Sequence, residues 1–434
     1  MSSEWSMVKL GELADFQEGY VNPSQREPDY FDGDIKWLRA TDLNDGLVTN
    51  TSRTLTEKGF RSAGKSASLF EPGTLAISKS GTIGRVGLLG DRMCGNRAVI
   101  NIKPKSHAIP RYIFFVLRHL RPVIETLAEG SVQKNLYVSA LSNLSIPAPA
   151  RHIQQAIASC LGALDDRIML LRETNKTLEL IAQAIFKSWF VDFDPVHAKM
   201  EGRQPEGMDE ETAALFPDSF EESGLGLIPT QWSARSFHEM IRIIGGGTPK
   251  TSNPGYWGGH IPWYSVVDVP NGADTFVVNT EKKITQAGLE GSSTKLLPFG
   301  TTIISARGTV GKLALTGCEM AMNQSCYGLR GQNNDIFFTY FSTQRLVEHL
   351  KQQAHGSVFD TITTATFKGV RVASPPPSII ARFETNVEVL MERVLVNLQT
   401  LTSLAQLRDT LLPRLISGQI RLPEAQEQVE SALS

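Results

Sequence analysis

Two hydrophobic periods alternate along the chain. Short apolar stretches such as "GTLAIS" (73–78) and "TTIISA" (301–306), broken by glycine-rich turns, predict strands. "PRYIFFVLRHLRPVIETLA" (110–128) and "DIFFTYFSTQRLVEHLKQQ" (335–353) predict helices, the first opening with Pro110 at its first position. The spacing then changes to three and four residues over a long run. Ile157, Leu161, Leu164, Ile168, Leu171, Leu178, Ile185 and Trp189 form one stripe; Phe383, Val387, Leu390, Val394, Leu401, Leu404, Leu411 and Leu415 form another. A helix of ~40 residues is about 60 Å long, and a single apolar stripe of that length needs a partner. The chain supplies one other such stripe, so the two helices are expected to pair as an antiparallel coiled coil, with Asn175, Asn397 and Arg408 on the stripe fixing register. The plainer alternative is that each helix packs only on its own domain. Pro413 is expected to end or kink the second helix.

The chain also says everything twice. Tyr30 and Tyr256, Trp37 and Trp263, and Asp42 and Asp268 are 226 residues apart. Gly81 and Gly308, Gly84 and Gly311, and Asn96 and Asn323 are 227 apart, in "SKSGTIGRVG" (78–87), "SARGTVGKLA" (305–314) and the segments that follow them. Such a period marks two copies of one domain. The expected architecture is α+β: two repeated, mostly β domains with helices, separated by the two long helices and related by a pseudo-twofold. The boundaries read as a first domain at 1–149, a first spacer helix at 150–196 and an exposed acidic connection at 197–224. A second domain follows at 225–375, a second spacer helix at 376–420 and a C-terminal tail at 421–434.

Charge sharpens this division. The net charge is −2, yet residues 1–150 carry net +3 and 224–375 net +4, against −7 for 151–223 and −2 for the remainder. Two mildly basic blocks alternate with two acidic ones, and contact with DNA needs only a local basic face. Four cysteines without metal-ligand or disulfide spacing read as small buried residues of a reducing compartment. "MSSEWSMVKL" has no signal-peptide core and no apolar run reaches membrane-spanning length, so a cytoplasmic setting is expected.

Enzyme signatures fail one by one. A P-loop needs G-x-x-x-x-G-K-[ST], whereas Lys312 is followed by Leu313 and the first glycine position is Ala306. No G-x-G-x-x-G stands between a strand and a helix, and the Pro375–Pro377 run is flanked by serines. Pro28-Asp29 followed by Asp34-Ile35-Lys36 imitates a nuclease metal site, but the gap is short and the second copy lacks the carboxylates, so a turn before a strand is the better reading. The histidines form no zinc-hydrolase pair, and no metal site is expected.

"FKSWFVDFDPVHAKMEG" after the first helix, "GLIPTQW" opening the second copy and "LLPRLISGQI" closing the second helix resemble the specificity subunits of type I restriction–modification systems. The resemblance spans nearly the whole chain; the departures are a missing Ile-Pro lead-in before "EWSMVKL" and Gln419 where an acidic residue is common. It implies a non-catalytic, DNA-binding subunit of host defence, whose two target-recognition domains read an asymmetric bipartite sequence in double-stranded DNA. Two modification (methyltransferase) subunits and two restriction subunits would be its partners. No cofactor is implied in this chain; the complex would use S-adenosylmethionine, with ATP and magnesium joining through the restriction subunit. Arg, Lys, Asn and Gln suit base reading and backbone contact. The candidates for DNA contact are Lys79, Arg85, Arg97, Gln133, Lys134 and Asn135 in the first copy, and Arg307, Lys312, Asn323, Gln324 and Lys368 in the second. Trp189, Phe190 and Phe193 are candidate anchors for a partner, although the same rings suit the core at a helix end. The competing functional reading is a twin-domain adaptor that binds protein without DNA specificity.

Overall fold

The computed structural model describes residues 5–130, 134–270, 274–353 and 361–433. It divides into two units, one of residues 1–170 with 402–434 and the other of residues 171–401.

In the first unit a five-stranded sheet runs in the order Ala14–Glu18, Val99–Pro104, Leu75–Ser78, Val86–Leu89, Leu47–Val48. Leu75–Ser78 is buried along its whole length, which is why "LAIS" does not alternate. A second sheet orders Thr54–Leu55, Phe31–Leu38, Met93–Gly95 and Leu69–Phe70. Met7–Lys9 pairs antiparallel with Ser145–Pro147 and closes the domain.

The second unit repeats this plan. Its five-stranded sheet runs Ile241–Gly245, Cys326–Gly331, Thr302–Ser305, Leu313–Thr316, Phe276–Val277, and a three-stranded sheet orders Lys283–Ile284, Trp257–Tyr264 and Ala321–Met322. Ser233–Ser236 pairs with Arg371–Ser374 as the closing ribbon. Trp37 and Trp263 are buried and donate their indole N–H to Val21 O (2.8 Å) and Gly247 O (3.0 Å), so both are core residues. The nuclease-like stretch is a turn, Pro28–Tyr30, before the strand Phe31–Leu38, with Asp29 paired to Lys58 and Lys36 to Asp91.

The two long helices are Arg151–Phe190 and Pro377–Ser417. They run antiparallel. In the first unit Asp165 meets Arg408 (2.9 Å); in the second Asn175 meets Asn397 (2.8 Å) and Phe186 meets Phe383, so one number falls as the other rises. Ile157, Leu164, Leu171, Phe383, Leu404 and Leu411 are buried, while Leu178, Ile185 and Leu390 pack partly buried against the core of the second unit. Asn175 and Asn397 are both buried and satisfy one another, and Asn175 also donates to Val394 O. A polar pair that closes only in one alignment fixes register.

Four expectations change. The second helix runs through Pro413 and ends at Ser417, before Gly418 at φ +80°. The bond that Pro413 forfeits lies near the last turn, where buried Leu411, Leu412, Leu415 and Ile416 hold the segment. The C-terminal tail carries structure of its own: Leu422–Leu433 is a helix with Ala425 and Val429 buried. The connection after the first helix is only partly exposed. It folds into the helices Asp194–Met200 and Glu210–Ala214 and the hairpin Phe220–Ser223/Gly226–Pro229, with Phe216 and Ile228 in the core. Finally, 110–128 is two helices, Pro110–His119 and Arg121–Thr126, with Pro122, which has no N–H to bond back to the first, in the opening turn of the second; Phe337–Gln353 has no proline and is continuous.

Candidate nucleic-acid interface

The repeated loops are held by a serine. Ser78, fully buried, donates its hydroxyl to Thr82 O and accepts from Arg85 N–H at 2.9 Å; Ser305 does the same with Thr309 O and Lys312 N–H at 2.8 Å. Gly84 N–H returns to Ser78 O and Gly311 N–H to Ser305 O. Gly81, Gly84, Gly308 and Gly311 all have φ between +74° and +81°, a region L side chains rarely adopt. Gly-Thr-x-Gly is therefore turn chemistry for a hairpin.

Two further loops meet this hairpin. Asn96 folds a turn in which its Oδ1 accepts from Ala98 N–H, and Asn323 does so with Ser325 N–H, both at 3.0 Å. Lys79 N–H donates to Ala98 O (2.8 Å) and Leu136 N–H to Lys79 O (2.8 Å). Ala306 N–H donates to Ser325 O (2.7 Å) and Ile362 N–H to Ala306 O (3.0 Å). Each copy thus brings the hairpin, the asparagine turn and the segment around Leu136 or Ile362 to one place by the same backbone bonds. A glycine makes room: a Cβ on Gly19 would lie 2.2 Å from Asn96 O, and one on Gly246 1.9 Å from Asn323 O.

The first-copy candidates fall on these loops. Lys79 is ion-paired with Glu18 at 2.9 Å, which offsets part of its charge. Arg85 begins the outgoing arm of the hairpin, Arg97 is exposed on the asparagine turn, and Lys134 is exposed beside Asn135, whose backbone pairs with Glu129. Gln133 lies outside the described residues. In the second copy Arg307 is exposed and its backbone pairs with Thr361; Lys312 is exposed where Arg85 stands in the first copy. Gln324 replaces Arg97 and bonds Thr248, whereas the side chain of Asn323 is engaged in shaping the turn. Lys368 stands apart at the end of the helix Thr364–Gly369, its carbonyl bonded by Ser236.

Trp189 and Phe190 are buried rather than presented for docking. They pack edge-to-face on Phe383, Phe338 and Phe216 and tilted on Trp232, so the core reading of these rings is the one the structure describes. Phe193, at φ +55°, packs on Trp232 at 5.4 Å. Sequence reasoning missed Ser78 and Ser305, although both begin the repeated motif. Among the described residues no cluster of His, Cys, Asp or Glu is suited to hold a metal ion, and no helix is long and apolar enough to cross a membrane.

A loop-bearing α+β domain built twice, with two long helices packed against each other, defines a duplicated recognition subunit. The family profile described as "Type I restriction modification DNA specificity domain" matches residues 2–180 and again 229–389, and the chain belongs to that family as a type I specificity subunit with two target-recognition domains. It is 29% identical over 366 residues to the type I restriction enzyme HindI specificity subunit of Haemophilus influenzae, covering 74% of this chain and 79% of that protein. It is 23% identical over 435 residues to the MjaIX specificity subunit of Methanocaldococcus jannaschii, covering 97% and 94%. The crystal structure of a type I S subunit from M. genitalium aligns with a TM-score of 0.55 at 17% identity, over 95% of this chain and 96% of that one, a likeness of fold.

Proposed function

We propose that each domain reads one half of an asymmetric, interrupted DNA target through the three-loop cluster just described. The observation that carries this reading is the duplication of one backbone with different side chains on it. Lys79 is replaced by Ala306, Ser80 by Arg307, Arg85 by Lys312 and Arg97 by Gln324. A shared scaffold with exchanged donors suits two readers of unlike half-sites, since base edges are distinguished by Arg, Lys, Asn and Gln. The chain itself is non-catalytic on this reading. It recruits two modification subunits, which would transfer methyl from S-adenosylmethionine to adenine, and two restriction subunits, which would bring ATP and magnesium. Two similar surfaces give a physical reason for two identical partners.

Electrophoretic mobility shift of the full chain with its modification subunit tests the reading, using a randomised duplex pool followed by selection. One bipartite sequence should emerge, bound ~10³-fold or more tightly than random duplex at the same salt. A complex that binds every duplex alike would overturn DNA specificity.

A further inference from the structure

In the first unit the guanidinium of Arg53 lies 4.0 Å from the centroid of the Phe31 ring, and its Nη1 donates to Gln25 Oε1 at 2.6 Å. Among the described residues no carboxylate pairs with it. Neighbouring Arg39 differs, being bonded to Ser52 and 3.7 Å from the carboxylate of Asp42. Arg53 is thus a cation seated over a ring and held at one end by an amide, with no carboxylate opposing its charge among the described residues.

Backbone bonds join this place to the three-loop cluster. Trp37 N–H donates to Arg53 O (3.3 Å), and one residue beyond Trp37 the carbonyl of Leu38 accepts from Asn96 N–H (3.0 Å). Val21 N–H, on the segment leading to Gln25, donates to Gly95 O (3.1 Å). The second copy has a cation at the same place. Trp263 N–H donates to Lys282 O (3.0 Å) as Trp37 does to Arg53 O, and Thr280 Oγ1 bonds Lys282 O as Thr51 Oγ1 bonds Arg53 O. Thr251 stands where Gln25 does, and Trp257 where Phe31 does. Lys282 lines an open cavity of about 430 Å³ with Thr251, Trp257, Gly258, Glu281 and Lys283.

The two positions share charge and differ in orientation. A phosphate asks only for a point charge, which Lys supplies; the planar fork of a held guanidinium matches guanine O6 and N7 together, with less freedom than a Lys ammonium has. We infer that Arg53, oriented by Phe31 and Gln25, reads a guanine in the half-site of the first domain, while Lys282 supplies only backbone attraction in the second. The inference rests on the DNA-reading function proposed above and adds the base and the residue.

The test uses the full chain with its modification subunit and a set of duplexes in which each pair of the selected target is changed in turn. Arg53→Lys keeps the charge and the aliphatic stem, and thermal melting confirms that it folds as the parent does. The expected result is that discrimination at one G·C pair of one half-site falls about 10-fold or more, with the other half-site unchanged. Gln25→Ala should weaken the same pair by less. An unchanged profile with Arg53→Lys would overturn the inference, and so would an Arg53→Ala variant that weakens all duplexes equally with a shallower salt dependence, which would make Arg53 a phosphate contact. If the parent complex selects no sequence at all, the failure lies with the proposed function; a parent with a bipartite target and an indifferent Arg53→Lys rejects this inference alone.

Discussion

The two long helices meet each other by different chemistry in the two units. In the first, Arg408 donates to Asp165 (2.9 Å) and Asp409, while Arg118 reaches the same two carboxylates at 3.4 Å. In the second, the positions 226 residues away are Met391 and Ala182, both buried, and Phe383 packs among Phe186, Trp189, Phe190, Phe338 and Phe341. One helix crossing is thus carried either by a charge network or by edge-to-face rings. The rings supply buried area, and the charges supply identity. If two copies of the first helix paired with each other, Asp165 would face Ala182 and lose Arg408. The ionic seam therefore favours the intended pairing of unlike helices.

The attachment of each domain to the helices follows the same division. Arg111 of the first domain donates to Gly162 O and Asp166 on the first helix, both at 3.0 Å. In the second unit the long helix does the donating of charge: Glu384 accepts from the N–H groups of Ile336, Phe337 and Phe338, capping the helix Phe337–Gln353. Its counterpart in the first helix is Ala158, and there Pro110 removes one of the donors that would need capping.

The largest effect is expected at the rings. Phe383→Ala should cost about 3–5 kcal/mol, because it empties a site bounded by five aromatic side chains that cannot all collapse inward. Denaturant unfolding followed by tryptophan fluorescence measures it, since Trp189 and Trp232 share that core. A loss under about 1 kcal/mol would mean that the rings are dispensable and the comparison drawn above is wrong.

Arg408→Ala should cost about 2–4 kcal/mol, toward the lower part of the range for breaking a buried pair because both partners keep some solvent. Adding Asp165→Met transplants the second unit's chemistry into the first and should recover most of that loss. A double variant no better than the single one would show that the charges, and not their pairing, carry the seam.

How much of this the chain disclosed depended on where each residue sat in a pattern. Asn175, Asn397 and Arg408 were legible because they interrupt an apolar stripe, whereas Asp165 in "ALDDRI" looks like an ordinary solvated acid. Phe216 lies in a polar, turn-rich stretch, and only the fold carries it to within 5.3 Å of Trp189. The equivalence of Arg53 with Lys282 was hidden by a second-copy loop three residues longer, which breaks the 226-residue register at that place. Backbone hydrogen bonds restore it, since Trp37 and Trp263 each mark their partner by the same donation.

The smallest expected effect separates the units by pH. Glu179, on the first long helix, accepts from Thr275 N–H at 2.9 Å, and burial, aided by the like charge of Asp274, pushes its carboxyl up to about 7 against the restraint of the Thr275 bonds. Lys176, Lys312 and Tyr340 line the same cavity, of about 570 Å³. A carboxyl held above its unfolded value binds more protons folded than unfolded between those two values. Stability of the second unit should therefore be greatest at low pH within that window and decline as pH rises through about 7, by on the order of 1–2 kcal/mol after discounting for partial solvation. Glu179→Gln should lessen this slope by fixing the neutral form, leaving the share contributed by Glu384, which burial also pushes up to about 7 in the same unit. In the first unit the counterpart position on the second helix is Ala405, so the slope has no equivalent there. Melting of the full chain from pH 4.5, the ordinary carboxyl value, to above the raised value of about 7, resolved by hydrogen exchange into the two units, reads it. A slope unchanged by Glu179→Gln would assign the pH response of the second unit to Glu384 alone, and an equal slope in the first unit would assign it to groups outside both carboxyls.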